Sequence, residues 1–225
     1  MKNYSIAIDG PAGAGKSTFA KALARELRFT YVDTGAIYRS VGYYAIKNGI
    51  SADDKKAIID SLPNIDIGIK FDDESTQHMI LNGDDVSKEI RLPEVSMYAS
   101  AVSALPEVRD FLLMLQRGFA EKYSVIMDGR DIGTVVLPNA DLKIYLTADA
   151  HERAVRRYAE LCEKGIASNI EEVEADMIKR DYDDMHRDVA PLKKADDAVT
   201  VDTTGLTIEE SFTLLRNTVR ERLGI

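Results

Sequence analysis

The sequence predicts an α/β fold in which helices cover both faces of a five-stranded parallel sheet. Five short runs rich in apolar residues recur along the chain: "YSIAID", "FTYVDT", "SVIMDG", "LKIYLTA" and "AVTVDT". Longer segments with helical spacing separate them, as Phe19, Leu23 and Leu27 illustrate. Nearly continuous apolar strands are typical of a parallel sheet that is buried on both sides.

Composition limits the size and the partners of this domain. The chain has 225 residues, 45% of them hydrophobic and 30% charged, which is ordinary for one globular domain with a substantial core. A formal net charge of −9 argues against general nucleic-acid binding. The start "MKNYSIAIDG" lacks the apolar core of a secretory signal peptide, and no apolar stretch reaches membrane-spanning length. We expect a cytoplasmic monomer with no nucleic-acid or membrane partner.

The first strand leads into a loop that matches the phosphate-binding pattern G-x-x-x-x-G-K-[ST] at residues 10–17. The helix "KSTFAKALARELR" follows directly, so the backbone N–H groups and the helix N-terminus can surround a polyphosphate. Lys16 is expected to reach the β- and γ-phosphates, and the Ser17 hydroxyl to ligate Mg²⁺. The alternative to a phosphate-binding loop is a tight strand-to-helix turn that binds no ligand. The predicted ATP-binding residues are Gly10, Pro11, Ala12, Gly13, Ala14, Gly15, Lys16, Ser17 and Thr18.

Three classes of protein use such a loop: switch GTPases, ATPase motors and small-molecule kinases. No Asn-Lys pair occurs in the chain, so the Asn-Lys-x-Asp guanine reader of a GTPase is missing. A motor would usually be longer. A kinase must also hold a second anionic substrate, which predicts arginines at the carboxyl ends of the strands.

Arginines do gather at those strand ends. The segments "DTGAIYR", "DGRDIGT" and "KRDYDDMHRDVAP" carry Asp33, Thr34, Arg39, Asp128, Arg130, Asp131, Arg180 and Arg187. Two phosphate charges about 4 Å apart repel by roughly 4 kcal/mol at an effective dielectric constant near 20. Bidentate guanidinium groups offset that repulsion and orient both anions. The clusters therefore favour a kinase.

One segment breaks the α/β rhythm. "IDIGIKF" alternates apolar and polar residues, "DDES" predicts a turn, "QHMIL" follows, and Asn82-Gly83 is a strong hairpin signal. Alternation leaves one face of a sheet exposed to solvent, which is typical of antiparallel strands. Residues 61–97 are therefore predicted to form a small antiparallel insert between core segments 1–60 and 98–225. Two Leu-Pro-Glu-Val sequences then mark two helix starts.

Taken together, these motifs resemble the bacterial cytidylate kinases. The resemblance rests on "IAIDGPAGAGKST", "YVDTGAIYRSV", "ILNGDDVSKEIRLPEV", "VIMDGRDIGTVVLPNADLKIYLTA" and the tail pattern "RDxxDxxRxxAPLxxADDA", which follow one another over nearly the whole chain. It implies a P-loop NTPase fold, a mobile lid at about residues 150–168, and a monophosphate-binding role for the insert. It also implies Mg²⁺-dependent transfer of the ATP γ-phosphoryl group to CMP, and to dCMP.

The resemblance further assigns roles to individual residues. Arg39, Arg130 and Arg187 would clamp the CMP phosphate. Ser100, Arg109 and Asp131 would read the cytosine, although Ser100 and Arg109 could simply be polar positions of a helix. Arg180 and Asp184 would contact the sugar or help to close the site, and Thr34 would lie near the acceptor. The predicted catalytic residues are Lys16, Arg130, Arg180 and Arg187.

Two points stay open at the level of sequence. Asp128 could lie on the metal side with Ser17, or could hydrogen-bond to the phosphate loop. Asp183 stands where the family commonly has a second arginine in Arg-Asp-x-Arg-Asp. If that arginine stabilises transition-state charge, then Arg180, Arg187 or the lid arginines Arg153, Arg156 and Arg157 must take over the task.

Overall fold

A computed structural model describes residues 3–72, 76–163 and 165–225. The main sheet is parallel. Its strands, numbered along the chain, are β1 (Ser5–Asp9), β2 (Thr30–Asp33), β6 (Val125–Gly129), β7 (Leu142–Thr147) and β8 (Val199–Asp202). Across the sheet their order is β2-β6-β1-β7-β8. All five predicted strands are thus confirmed, and so is the parallel sheet.

Eight helices are described, and several begin where the sequence places a start signal. They are α1 (Lys16–Leu27), α2 (Thr34–Lys47), α3 (Lys55–Ser61), α4 (Pro93–Ser103), α5 (Pro106–Lys122), α6 (Ala150–Glu163), α7 (Ile170–His186) and α8 (Ile208–Leu223). The two Leu-Pro-Glu-Val sequences open α4 and α5, because proline suits the first helical turn. Of the helices in the described part of the chain, none is long and apolar enough to cross a membrane.

The core lies on both faces of the parallel sheet. Along β1, Ala7 packs towards α2, α4 and α5, whereas Ile6 and Ile8 pack on the opposite face with residues of α1 and α8. All three side chains are fully buried. A strand with both faces covered needs apolar residues at every position, which explains the continuous apolar runs of the sequence.

The predicted insert contains a second, antiparallel sheet. It consists of β3 (Ile67–Phe71), β4 (Gln77–Leu81) and β5 (Asp84–Asp85), in that order. Asn82 and Gly83 turn the chain between β4 and β5 with φ angles of 50° and 91°, as the hairpin signal predicts. The predicted turn at "DDES" falls largely on residues 73–75, outside the described residues. The inner face of this sheet joins the core beside α2 through Ile67 and Met79.

Candidate active site

The phosphate-binding loop runs from the end of β1 to the start of α1, and its glycines allow its path. A Cβ atom on Gly10 would lie 2.0 Å from the Leu146 carbonyl oxygen on β7, so no larger residue fits. Gly15, directly before α1, has a φ angle of 83°, a conformation that glycine adopts at little cost. The first turn of α1 therefore begins inside the loop, with its free N–H groups available to an anion.

Lys16 opens α1 and lies in the loop. Its side chain is buried, and its Nζ donates a 2.6 Å hydrogen bond to the Pro11 carbonyl oxygen. Burial and the nearby positive charge of Arg130 hold the pKa of Lys16 well below its ordinary value. A phosphate group in the loop would supply the opposite charge that favours the ammonium form.

Asp128 closes the loop from the end of β6. Its carboxylate accepts a 2.9 Å hydrogen bond from the Ser17 hydroxyl and a 2.7 Å hydrogen bond from the Tyr31 hydroxyl. Burial and the neighbouring Asp33 carboxylate raise the pKa of Asp128. The hydrogen bond to the loop that the sequence left open is therefore present, and it brings a hydroxyl and a carboxylate oxygen together at the loop.

The next strand end places two arginines around one buried carboxylate. Asp33, which ends β2, accepts hydrogen bonds from Arg39 (3.0 Å) and Arg91 (2.8 Å). Burial alone would raise the pKa of Asp33, but the two guanidinium groups lower it overall. The adjacent Thr34 hydroxyl donates to the Asp128 carbonyl oxygen at 2.7 Å. Sequence reasoning missed Arg91, whose only signal is a basic residue immediately before a predicted helix start.

A second buried carboxylate, Asp131, organises the far end of the site. It accepts a hydrogen bond from Arg109 of α5, and the Arg187 guanidinium lies 3.4 Å from its other oxygen. The Arg109 guanidinium also lies 5.5 Å from the centre of the Tyr38 ring. Burial raises the pKa of Asp131 despite these cations. Ser100, on α4, is exposed and lines the cleft that these strand ends share.

Helix α7 presents the last group of predicted residues. Asp184 is buried and accepts a 2.7 Å hydrogen bond from Arg130, and Arg187 lies 3.9 Å from its other oxygen. Arg180 lines the cleft, and its guanidinium has no hydrogen bond to a side chain or backbone atom of the described residues. Asp183 is exposed and is not among the described residues that line the cleft.

Asp9 ties the phosphate loop to the segment that carries Arg130 and Asp131. Its two carboxylate oxygens accept hydrogen bonds from the backbone N–H groups of Ile132 and Gly133, each at 2.7 Å. These two residues begin a single π-helical turn, Ile132–Val136, directly after the Asp131 position. Burial is the main cause that raises the pKa of Asp9 to about 6. The sequence signalled only that an aspartate ends the first strand.

All of these strand ends open into one continuous cleft of about 1140 Å³. From the loop it contains residues 12–18, while Gly10 and Pro11 lie buried behind it. The other predicted site residues that line the cleft are Thr34, Arg39, Ser100, Arg109, Asp128, Arg130, Asp131, Arg180, Asp184 and Arg187. Asp33, Tyr38 and Arg91 join them without having been predicted as site residues.

The three lid arginines differ in their surroundings. Arg156 and Arg157 line the cleft. Arg153 is buried, and its guanidinium is engaged by the carboxylate of Asp181. Because Arg153 Nε and Nη1 already donate hydrogen bonds within the fold, Arg156 and Arg157 are the members of this set that face the cleft.

A parallel α/β sheet, a phosphate loop at the first helix and arginines at the neighbouring strand ends define a P-loop kinase. The particular family follows from comparison with known proteins. The family model described as cytidylate kinase matches residues 6–221. The chain therefore belongs to the cytidylate kinase family.

Individual relatives agree with that assignment. A cytidylate kinase from Caldicellulosiruptor bescii is 53% identical over 210 residues, which cover 93% of this chain and 92% of the relative. One from Carboxydothermus hydrogenoformans is 54% identical over 205 residues, which cover 91% and 92%. Among solved structures, an uncharacterised protein from Eubacterium ventriosum has 15% identity and a TM-score of 0.54 over 98% of this chain and 99% of the other. This last likeness concerns the fold alone.

Proposed function

We propose that the protein transfers the γ-phosphoryl group of ATP to CMP and dCMP, giving ADP and CDP or dCDP. The main observation that supports this proposal is that one cleft contains both a phosphate loop and a separate set of arginines and carboxylates. A protein that only sensed or hydrolysed ATP would not need the second set. Family membership supports CMP as the acceptor, and the resemblance of the motifs extends the proposal to dCMP.

On the donor side, the loop residues 10–18 would hold the ATP phosphates. The free N–H groups at the start of α1 favour an anion there, and Lys16 lies at the first position of that helix. The unengaged Arg180 and the lid residues Arg156 and Arg157 line the same cleft and would meet charge that develops on the γ-phosphoryl group. Arg180 is thereby proposed as a catalytic residue.

The donor set beside the loop fits Mg²⁺. A hydroxyl oxygen of Ser17 and a carboxylate oxygen of Asp128 lie 2.9 Å apart, and P-loop NTPases hold Mg²⁺ with a loop Ser or Thr hydroxyl and an Asp carboxylate. Ser17 and Asp128 would hold the ion. When bound, Mg²⁺ neutralises charge on the β- and γ-phosphates.

On the acceptor side, Arg39, Arg130 and Arg187 would clamp the CMP phosphate. Each of them is presently paired with an aspartate: Arg39 with Asp33, and both Arg130 and Arg187 with Asp184. These pairs hold the guanidinium groups in place before the phosphate arrives, so little side-chain ordering would be needed on binding. Arg91 belongs to the same proposal, because it shares the Asp33 carboxylate with Arg39.

Arg109, Asp131 and Ser100 would read the cytosine. A carboxylate and a hydroxyl suit the exocyclic amine, and a guanidinium suits the carbonyl side of the ring. A buried site built for such a pattern rejects a base that leaves its polar groups unpaired. Arg180 and Asp184, on α7, would contact the sugar or help to close the site.

The reaction requires little covalent chemistry from the protein. A CMP phosphate oxygen is already ionised at neutral pH, so no side chain has to remove a proton from the nucleophile. The residues hold two anions in line and stabilise the charge that spreads over the equatorial oxygens. We propose that the core consists of segments 1–60 and 98–225. The insert (61–97) and the lid (about 150–168) would close over the rest of this core and keep water away from ATP.

The test is ADP formation with ATP and each of CMP, dCMP, UMP, AMP and GMP. The expected result is Mg²⁺-dependent activity with the two cytidine nucleotides and little with the others. Activity mainly with another monophosphate would show that CMP is not the preferred acceptor. ATP binding without transfer to any of the five would instead indicate a nucleotide sensor.

A further inference from the structure

A buried ion pair lies directly under the phosphate loop. The Arg153 guanidinium of α6 and the Asp181 carboxylate of α7 are 2.6 Å apart, and their side chains are only 8% and 9% exposed. Neither residue has a part in the proposed contacts with ATP or CMP. Because burying two charges carries a large desolvation cost, the pair is not explained by stability alone.

Both members of the pair bind the backbone of a single loop residue. Asp181 accepts a 2.9 Å hydrogen bond from the Ala12 N–H, and Arg153 donates a 2.7 Å hydrogen bond to the Ala12 carbonyl oxygen. Arg153 also donates to the Ala148 carbonyl oxygen at 3.0 Å, beyond the end of β7. The peptide groups on both sides of Ala12 are thus fixed in orientation.

Apolar packing reinforces the same connection. Ala12 forms a small buried cluster with Ala154 of α6 and with Val173 and Met177 of α7. A Cβ atom added to the next loop residue, Gly13, would lie 2.5 Å from the end of the Met177 side chain. The loop therefore rests on both helices at close range.

Helix α7 links this contact to the acceptor side. Asp181 directly follows Arg180, and Asp184 lies three residues further on, where helical geometry places it on a neighbouring part of the same face. Asp184 in turn holds Arg130 at 2.7 Å. One rigid helix thus carries a contact to the donor loop and a contact to the acceptor arginines.

We propose that Arg153 and Asp181 are positioning residues that fix the phosphate loop relative to α7, and so align the donor and acceptor phosphates. This inference rests on the proposed transfer from ATP to CMP. A displacement of about 1 Å between reacting groups can cost ~10²-fold in rate, so a loosened loop should lower kcat strongly. The pair touches no substrate, and its effect passes through Ala12.

The first test is Asp181→Asn. An asparagine can satisfy only one of the two donors that Asp181 now accepts, so either Ala12 or Arg153 loses its partner. We expect a fall in kcat of ~10-fold to 10²-fold and a rise in KM for ATP, with KM for CMP changed less. Glu26→Gln is the matched control, because it breaks the exposed 2.7 Å ion pair with Arg220 on α8 and should leave all three constants near wild type.

The second test separates positioning from stability. In the double variant Arg153→Met/Asp181→Leu no charge is left unpaired, so the melting temperature should return towards that of the wild type. The hydrogen bonds to Ala12 are still missing, so kcat and KM for ATP should stay impaired. Full recovery of kcat together with stability would show that the pair is merely structural, and the proposal would be wrong.

A third readout does not depend on turnover. Hydrogen exchange at loop residues 12–15 should be faster in Asp181→Asn than in the wild type, with exchange in α8 unchanged. Unchanged exchange in the loop would overturn the proposal even if the wild type proved inactive. An inactive wild type with faster loop exchange in the variant would refute the proposed transfer alone, whereas an active wild type with normal variant kinetics would refute only the positioning role.

Discussion

Asp9 makes a quantitative prediction, because its carboxylate is buried between two backbone N–H donors with a pKa of about 6, against an ordinary value of 3.8. Desolvation favours the protonated form, and the hydrogen bonds from Ile132 and Gly133 only partly oppose it. In Asp9→Asn the side chain is neutral at every pH. Comparing the two proteins therefore isolates the cost of ionising this one buried group.

The sign follows from the raised pKa. The folded state holds its proton up to about pH 6, whereas the unfolded state releases it near pH 3.8, so ionisation disfavours folding as pH rises. The full difference corresponds to ~3 kcal/mol in the free energy of unfolding above about pH 7. About 2 kcal/mol of this cost should develop between about pH 4.5 and 7.5.

The assay is urea unfolding of the wild type and of Asp9→Asn at several pH values in that window. The wild type should lose about 2 kcal/mol relative to the variant as the pH rises. A constant offset between the two is expected from the hydrogen bond that asparagine cannot accept, and only the slope tests the burial argument. A difference that stays flat with pH, or that grows in favour of the wild type, would refute the reasoning.

Four further predictions concern the cleft. Lys16→Ala should abolish most turnover while the circular dichroism spectrum stays native; a near-normal rate would exclude its role in the loop. Asp131→Ala should impair CMP use more than ATP binding, measured by steady-state kinetics and titration, and an equal loss for CMP and UMP would count against base reading. Arg130→Met should lower kcat on the order of 10³-fold if it meets transition-state charge, whereas a change confined to KM for CMP would assign it to binding alone. Asp183→Arg should change kcat by less than about threefold, because an exposed side chain outside the cleft lining does not contact the reacting groups. A large gain in rate would show that the arginine common in the family at this position contributes to transfer.

Much of the fold could be predicted because its signals are local. Strands buried on both faces need continuous apolar runs, the Asn82-Gly83 pair needs left-handed backbone, and prolines can open helices. Each of these requirements is set by a few neighbouring residues. The five strands of the parallel sheet, the hairpin at Asn82-Gly83 and the starts of α4 and α5 were accessible from sequence for that reason.

The partners of the charged residues could not be predicted in the same way. Arg91 and Asp33 are 58 residues apart in the chain, and Asp181 is 169 residues from Ala12. Only the packing of the insert and of α7 brings them together, and no spacing rule encodes such contacts. The same holds for Arg153, because a basic helix looks alike in sequence whether its arginines face a cleft or a buried carboxylate.

The most direct test of the account is a single-turnover experiment with the enzyme in excess over ATP that is radiolabelled in the γ-phosphate, with CMP and Mg²⁺ present. The account predicts that the label passes to CDP in one step, with little label in inorganic phosphate or on the protein. Release of most of the label as inorganic phosphate, whether or not CMP is present, would contradict the claim that one cleft holds both anions for direct transfer.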